Sequence, residues 1–192
     1  MSGSVVVNIN PPSVNVREVL RYAGCKGADS AVEELLNECI EEAQGVLSYR
    51  ICYCRLPLEI EGEECRMGSL RLHSKALAKT LQGCKEAVLF GATLGVGIDR
   101  LIGKYLRLSP AKALMMDALG TERIEALCDA FCKGQECKIT PRFSAGYGDL
   151  SLAVQPNLFA LLQCEKKIGL CLTDGLMMSP TKSVTAIFGI KE

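Results

Sequence analysis

The most restrictive stretch of the chain is the apolar run over residues 86–94 (EAVLFGATL), which carries no charge after Glu86 and leads straight into Gly95-Val96-Gly97. A run this short and this apolar reads as a buried strand entering a glycine-rich turn. The neighbouring patterns supply what such a strand packs with. Residues 5–9 alternate as an edge strand before Pro11-Pro12 breaks it. Residues 16–22 read as a short helix stopped at Gly24. A helix over 29–49 starts with Ser30-x-x-Glu33 as a capping box and buries one face through Val32, Leu36, Cys39, Ile40 and Ala43, at the 3.6-residue period.

Residues 49–60 are rich in strand formers, with Pro57 confining that strand to an edge or an end. A second short strand follows at 70–73. Ser74 then caps a helix reaching about Gln82, with Gly83 just past its end. After the glycine turn a helix carries Ile98, Leu101, Ile102 and Tyr105. Ser109-Pro110 opens another that runs past Gly120, where it can bend, to about Lys133, and Gly134 stops it. In the last third, Leu158, Phe159, Leu161 and Leu162 mark an amphipathic segment, Ile168, Leu170 and Leu172 a strand, Thr173-Asp174-Gly175 a turn, and residues 183–190 a final strand. Strands and helices grouped unevenly, without a repeat or a linker, predict one α+β domain over residues 1–192 built on an antiparallel sheet.

The chain has 192 residues and zero formal net charge, and no Lys/Arg block longer than a pair. That points away from nucleic acid and anionic membranes. No apolar run is long enough to span a bilayer, and the first residues lack the basic and apolar regions of a signal peptide, so a soluble cytoplasmic protein is expected. Eleven cysteines, an odd number without an export signal, argue against a disulfide framework. With no CxxC and one histidine, they read as small, reduced, buried hydrophobes rather than a metal set. The lone His73 offers no partner for nucleophilic hydrolysis.

Gly95-x-Gly97 lacks the Gly-Lys-Ser/Thr of a phosphate loop, and Arg100 stands where a dinucleotide fingerprint needs its third glycine, so a tight turn is the better reading. Met115-Met116 and Met177-Met178 read as core or adaptable contacts. Glu122, Glu125 and Asp129 share one helix, normally a solvated face, with Glu125 at the margin of the apolar stripe as a candidate functional carboxylate. Arg142 and Tyr147 are the stronger candidates. The guanidinium is a planar fork of donors for a carboxylate or phosphate, and Gly146-Tyr147-Gly148 lets the backbone turn sharply and come close to a ligand. A strand-end ion pair and a turn with a packed ring explain the same residues equally well.

The motifs Arg142-Phe143-Ser144-Ala145-Gly146-Tyr147, Glu165-Lys166-Lys167-Ile168-Gly169-Leu170-Cys171-Leu172-Thr173-Asp174 and Met178-Ser179-Pro180, followed by Ser183-Val184 and Ala186, are similar in order and spacing to the S-adenosylmethionine (AdoMet)-binding activation domain of cobalamin-dependent methionine synthase. More closely, the chain resembles the short stand-alone homologues of that domain, and the likeness extends upstream through Val19-Leu20-Arg21-Tyr22, Ala92-Thr93-Leu94-Gly95 and Ala118 to Asp129, so that it covers nearly the whole chain. The resemblance implies a curved α+β domain with a bent antiparallel sheet. It also implies that the chain presents AdoMet to an oxidised cobalamin while flavodoxin, ferredoxin or a similar donor supplies an electron, so that the methyl group moves to cobalt.

Carried over from the family, Arg142 holds the ligand carboxylate, and the backbone of Ala145, Gly146 and Tyr147 wraps the ligand. Tyr147 and Glu125 reach the cobalt side of the corrin, and Glu136 is a further acidic position near the ligand. Two departures stand out. Asn15 is the nearest counterpart of an acidic ligand contact, and Gly148-Asp149-Leu150-Ser151 replaces a run containing Pro, Cys and His. The expected function is reactivation, in trans, of a cobalamin-dependent methionine synthase or related corrinoid protein. The alternatives are a non-catalytic module that binds corrinoid proteins and a small-molecule methyltransferase, the latter disfavoured by the missing dinucleotide-type loop.

Overall fold

The computed structural model describes residues 3–10, 12–25, 27 and 29–191. Pro11, half of the expected Pro11-Pro12 break, lies outside the described residues. In chain order the elements are β1 (Val5–Asn8), α1 (Val16–Tyr22), α2 (Ser30–Gln44), β2 (Arg50–Glu61), β3 (Glu64–Met67), β4 (Leu70–His73), α3 (Lys75–Leu81), β5 (Glu86–Thr93), α4 (Val96–Leu108) and α5 (Pro110–Lys133). Then follow β6 (Lys138–Ile139), a 3-10 turn (Leu152–Val154), α6 (Gln155–Leu162), α7 (Cys164–Ile168), β7 (Cys171–Leu172), β8 (Met178–Ser179) and β9 (Ser183–Lys191).

The apolar run forms β5, in the middle of a seven-stranded sheet ordered β4-β3-β2-β5-β9-β6, with β1 also paired to β2. All pairings in this sheet are antiparallel. Because side chains alternate across a strand, Val88, Phe90 and Ala92 enter one core and Ala87 and Leu89 another. Both faces of the sheet are therefore covered, which explains why β5 shows no polar alternation. Helices α1, α2, α4 and α5 lie over the first face, where Phe131 of α5 packs on Phe90 at 5.0 Å and on Tyr53 at 5.2 Å between ring centroids. Helices α3, α6 and α7 cover the second, through Leu77, Leu81, Leu158, Leu162 and Ile168.

Local capping chemistry explains most helix ends. Ser109 Oγ accepts from Lys112 N at the start of α5 and Gly134 closes it, while Ser74 Oγ accepts from Leu77 N at the start of α3. Helix α5 runs unbroken through Gly120, where an added Cβ would meet Lys182 Cγ at 3.0 Å and Ile98 Cγ1 at 3.2 Å.

Several expectations need correction. The cap of α2 is Asp29, whose carboxylate accepts from Val32 N, rather than Ser30, and the helix stops at Gln44 instead of residue 49. Pro57 does not put β2 at an edge. It sits at the last pair of the β2–β5 ladder, opposite Glu86, after which β2 continues by pairing Leu58–Glu61 with β3. A proline costs a ladder bond only where its nitrogen must donate, and here one partner strand ends. Residues 168–172 are not one strand, because Glu165 to Ile168 close a short helix at Gly169, whose φ is +69°. The hairpin strand β3 is an element that the sequence pattern did not reveal.

The glycine turn is a packing device. An added Cβ at Gly97 would meet the carbonyl oxygen of Val46 at 2.4 Å. Backbone bonds from Ser48 N to Leu94 O (2.9 Å) and from Leu94 N to Lys182 O (3.0 Å) hold the turn from both sides. In the first turn of α4 the Asp99 carboxylate accepts from Thr181 N and Oγ1. Among the described residues, no helix is long and apolar enough to cross a membrane.

Candidate functional site

Downstream of α5 the chain returns along the edge of β9. Lys138 and Ile139 pair with Lys191 and Ile190, Thr140 exchanges bonds with Gly189, and Phe143 forms an antiparallel bridge with Ile187. Alternation along this segment turns Phe143 into the core beneath α3 and α6 and leaves Arg142 facing α5. There Arg142 Nη2 donates to Glu125 Oε2 at 3.0 Å and to Asp129 Oδ1 at 2.8 Å. The two acceptors are one helical turn apart, so a single guanidinium spans them. Burial pushes the Cys128 thiol up to about 12 and raises Cys132 as well, so the sulfurs beside Arg142 stay neutral and its countercharge is the two carboxylates.

Glu125 and Asp129 also line a groove of about 930 Å³ between α5 and the segment leading into α1, together with Asn15, Tyr22, Glu122 and Lys133. The opposite wall is held by a buried ion pair. Arg123 binds both oxygens of Glu122, and its remaining donors reach the carbonyls of Pro12 (2.6 Å) and Ser13 (3.1 Å). Glu122 also accepts from Asn15 N at 3.1 Å, and Asn15 caps α1. Only 5 % of Glu122 and 3 % of Arg123 is exposed, so Glu122 is a structural post rather than part of a solvated helix face. A second cleft of about 640 Å³ over α6, lined by Phe159, Cys164 and Cys171, contains none of the expected site residues.

Beyond Phe143 the chain makes a tight turn over residues 144–150. Gly146 N bonds Leu150 O, Tyr147 N bonds Ser144 O, and Leu150 N bonds Tyr147 O. Gly146 at φ +84° and Gly148 at φ +56° need the left-handed region that glycine occupies freely. Tyr147 is 73 % exposed, and its ring meets Phe143 edge-on at 6.2 Å. Asp149 closes the turn onto α3. Its carboxylate accepts from Ser74 Oγ, from Lys75 N at 2.8 Å and from Ala76 N at 3.2 Å. The Ser74 hydroxyl and these two amides hold the Asp149 carboxyl below its ordinary range.

Of the residues singled out in the sequence, the structure joins Arg142 and Glu125 directly and places Ala145, Gly146 and Tyr147 in the adjoining turn. Tyr147 stands on Phe143 rather than on Glu125. Glu136 is exposed in the bend between α5 and β6 and, among the described residues, makes no ion pair with Arg142. Sequence reading missed Asp129 as the second partner of Arg142, the Glu122–Arg123 post and the anchoring carboxylate of Asp149. The one local signal was Glu122-Arg123 interrupting an otherwise apolar helical stripe. Seven of the cysteines are buried, and Cys52 and Cys164 bring their sulfurs within 3.8 Å across β2 and α7.

No family profile matches the sequence, and no curated protein is similar to it in sequence. The fold is nonetheless a known one. The structure is similar to that of the MetH reactivation domain bound to AdoHcy, with a TM-score of 0.67 at 14 % sequence identity, covering 98 % of this chain and 78 % of that one.

Proposed function

We propose that this protein binds AdoMet in the groove between α1 and α5 and serves the reductive methylation of a cobalamin carried by a partner, a methionine synthase or related corrinoid protein. The observation that carries the reading is Arg142, bound by Glu125 and Asp129, two carboxylates that line a groove of about 930 Å³, and followed in the chain by an exposed tyrosine on a glycine turn. A cleft of that volume is ample for a nucleoside-sized ligand. Glu125 and Asp129 converge on one nitrogen of a fork that has five N–H donors, so the guanidinium retains capacity for a ligand carboxylate.

A sulfonium methyl is already activated, so this chain needs no acid or base. Its residues hold, orient and exclude water. In this reading Arg142 fixes the amino-acid end, Asn15 and Asp129 border the groove, and Tyr147 and Glu125 face the corrin. The electron comes from a flavodoxin- or ferredoxin-type donor. One observation favours a second reading, a docking module for corrinoid proteins that binds no AdoMet: two protein carboxylates already neutralise Arg142, which then needs no ligand carboxylate.

Arg142→Ala separates the two. Loss of a charge-assisted carboxylate contact costs about 1.5–3 kcal/mol, or roughly 10- to 150-fold in affinity. We expect AdoMet binding to fall by that factor while binding of the corrinoid protein survives. Unchanged AdoMet affinity in this variant would remove Arg142 from the ligand site.

A further inference from the structure

We propose that Asp149 is a positioning residue for Tyr147: by tying the 144–150 turn to the first residues of α3, it fixes where the tyrosine ring stands at the sheet edge. Its consequence for methyl transfer rests on the AdoMet–corrinoid reading above; the tie itself does not.

Tyr147 has too little packing to orient itself, being 73 % exposed with one ring contact, to Phe143. Its orientation must come from the backbone, yet a glycine at positive φ lies on each side of it. The three hydrogen bonds within the turn close it on itself without attaching it to the domain. Attachment at the ends comes from the Phe143–Ile187 bridge and from Leu150, which is buried beneath α3 and α6. Two end points allow the turn to swing about the line joining them.

Asp149 removes that freedom. Both of its oxygens are used, on three donors from three consecutive residues. The receiving side is rigid. Ser74 is 1 % exposed, its N bonds Glu63 O at 2.9 Å, and its hydroxyl caps Leu77 N at 3.0 Å. The contact is also close, since an added Cβ on Gly148 would sit 3.3 Å from Ala76 Cβ. Ser74 alone already caps α3, and Leu77 and Leu81 bury that helix, so α3 does not need Asp149 in order to form. What the carboxylate adds is the attachment of the turn.

The test uses the full chain with ring-¹³C tyrosine, of which there are five. Tyr147→Phe assigns the Tyr147 signal. In Asp149→Asn, and in Ser74→Ala as an independent cut of the same tie, the Tyr147 signal should shift and lose its cross-relaxation with Phe143 while the other four stay in place. AdoMet affinity should fall less than in Arg142→Ala, because both variants leave Arg142 and its two carboxylates in place. AdoMet-dependent methylation of cobalamin on a methionine synthase fragment lacking its own reactivation domain should fall by about 10- to 100-fold, since small misplacements of a reacting group cost that much. A Tyr147 signal unchanged in both variants overturns the proposal. A displaced Tyr147 with unchanged methylation upholds the tie and overturns the corrinoid reading on which its consequence rests.

Discussion

Helix α4 contains a pair of glycines that should respond to the same substitution with opposite sign. Alanine is favoured over glycine inside a helix by about 1 kcal/mol. Gly103 lies in α4 with nothing within 4 Å of an added methyl, so Gly103→Ala should gain most of that, about 0.5–1 kcal/mol. Gly97 lies in the first turn of the same helix, where the methyl would meet Val46 O at 2.4 Å and Val46 Cβ at 2.8 Å. That carbonyl belongs to the α2–β2 connection, whose Ser48 N is bound to Leu94 O, so it has little room to withdraw.

Overpacking costs about 1–3 kcal/mol, and a backbone clash belongs at the top of that range. Set against the helical gain, the net loss for Gly97→Ala is about 2 kcal/mol. For a chain of 192 residues each kcal/mol moves the melting temperature by about 2–4 °C. Differential scanning calorimetry should therefore show Gly97→Ala melting about 4–8 °C lower and Gly103→Ala slightly higher. If Gly97→Ala melts at or above the unmodified protein, the close approach of α4 to the α2–β2 connection is wrong, and with it the reading of Gly95-Val96-Gly97 as a packing turn.

Arg123→Ala strands the buried Glu122 carboxylate and should cost about 3–5 kcal/mol in urea denaturation, with faster proteolytic cleavage near residues 12–15. Phe131→Ala empties the aromatic cluster on the first sheet face and should cost about 3–5 kcal/mol by the same measurement. Asp149 and Glu42 have carboxyls held below their ordinary range, the first chiefly by Ser74 and the second chiefly by Tyr105. Their contribution is fully present above the unfolded value, near about 4, and is lost as pH falls through the lower folded value. The melting temperature should thus be flat between about pH 5 and 7 and drop below about pH 4; a decline beginning near about pH 6 would contradict this. In the native protein a thiol reagent should titrate at most the four half-buried cysteines, Cys25, Cys132, Cys137 and Cys171, before denaturation releases the rest.

The parts of the fold that were legible in the sequence are those set by neighbours in the chain. Gly24 stops α1, Ser109-Pro110 and Gly134 bracket α5, and the uninterrupted apolar run of β5 needs no distant residue to be recognised. Where two local solutions compete, sequence reading chose wrongly: Asp29 and Ser30 are both good caps, and Pro57 reads as an edge signal until β5 is seen to end opposite it. The candidate site was legible only as a set of residue types. Arg142 meets carboxylates 13 and 17 residues away, and Asp149 meets Ser74 across 75. Such contacts are made by the return of the chain along β9 and by the packing of α3, and they leave no period in the sequence. Glu122 is the sharpest case. Its place beside Glu125 and Asp129 on one helix reads as a solvated face, and only Arg123 and the N-terminal segment folding over it make its burial tolerable.

The central claim is ligand binding, and calorimetric titration with AdoMet tests it most directly, on the protein alone and with a cobalamin-loaded methionine synthase fragment lacking its reactivation domain. The predicted result is a single AdoMet site that tightens in the presence of the corrinoid protein and is lost in Arg142→Ala. Absence of AdoMet binding under both conditions would contradict the claim, leaving the fold with a docking role alone.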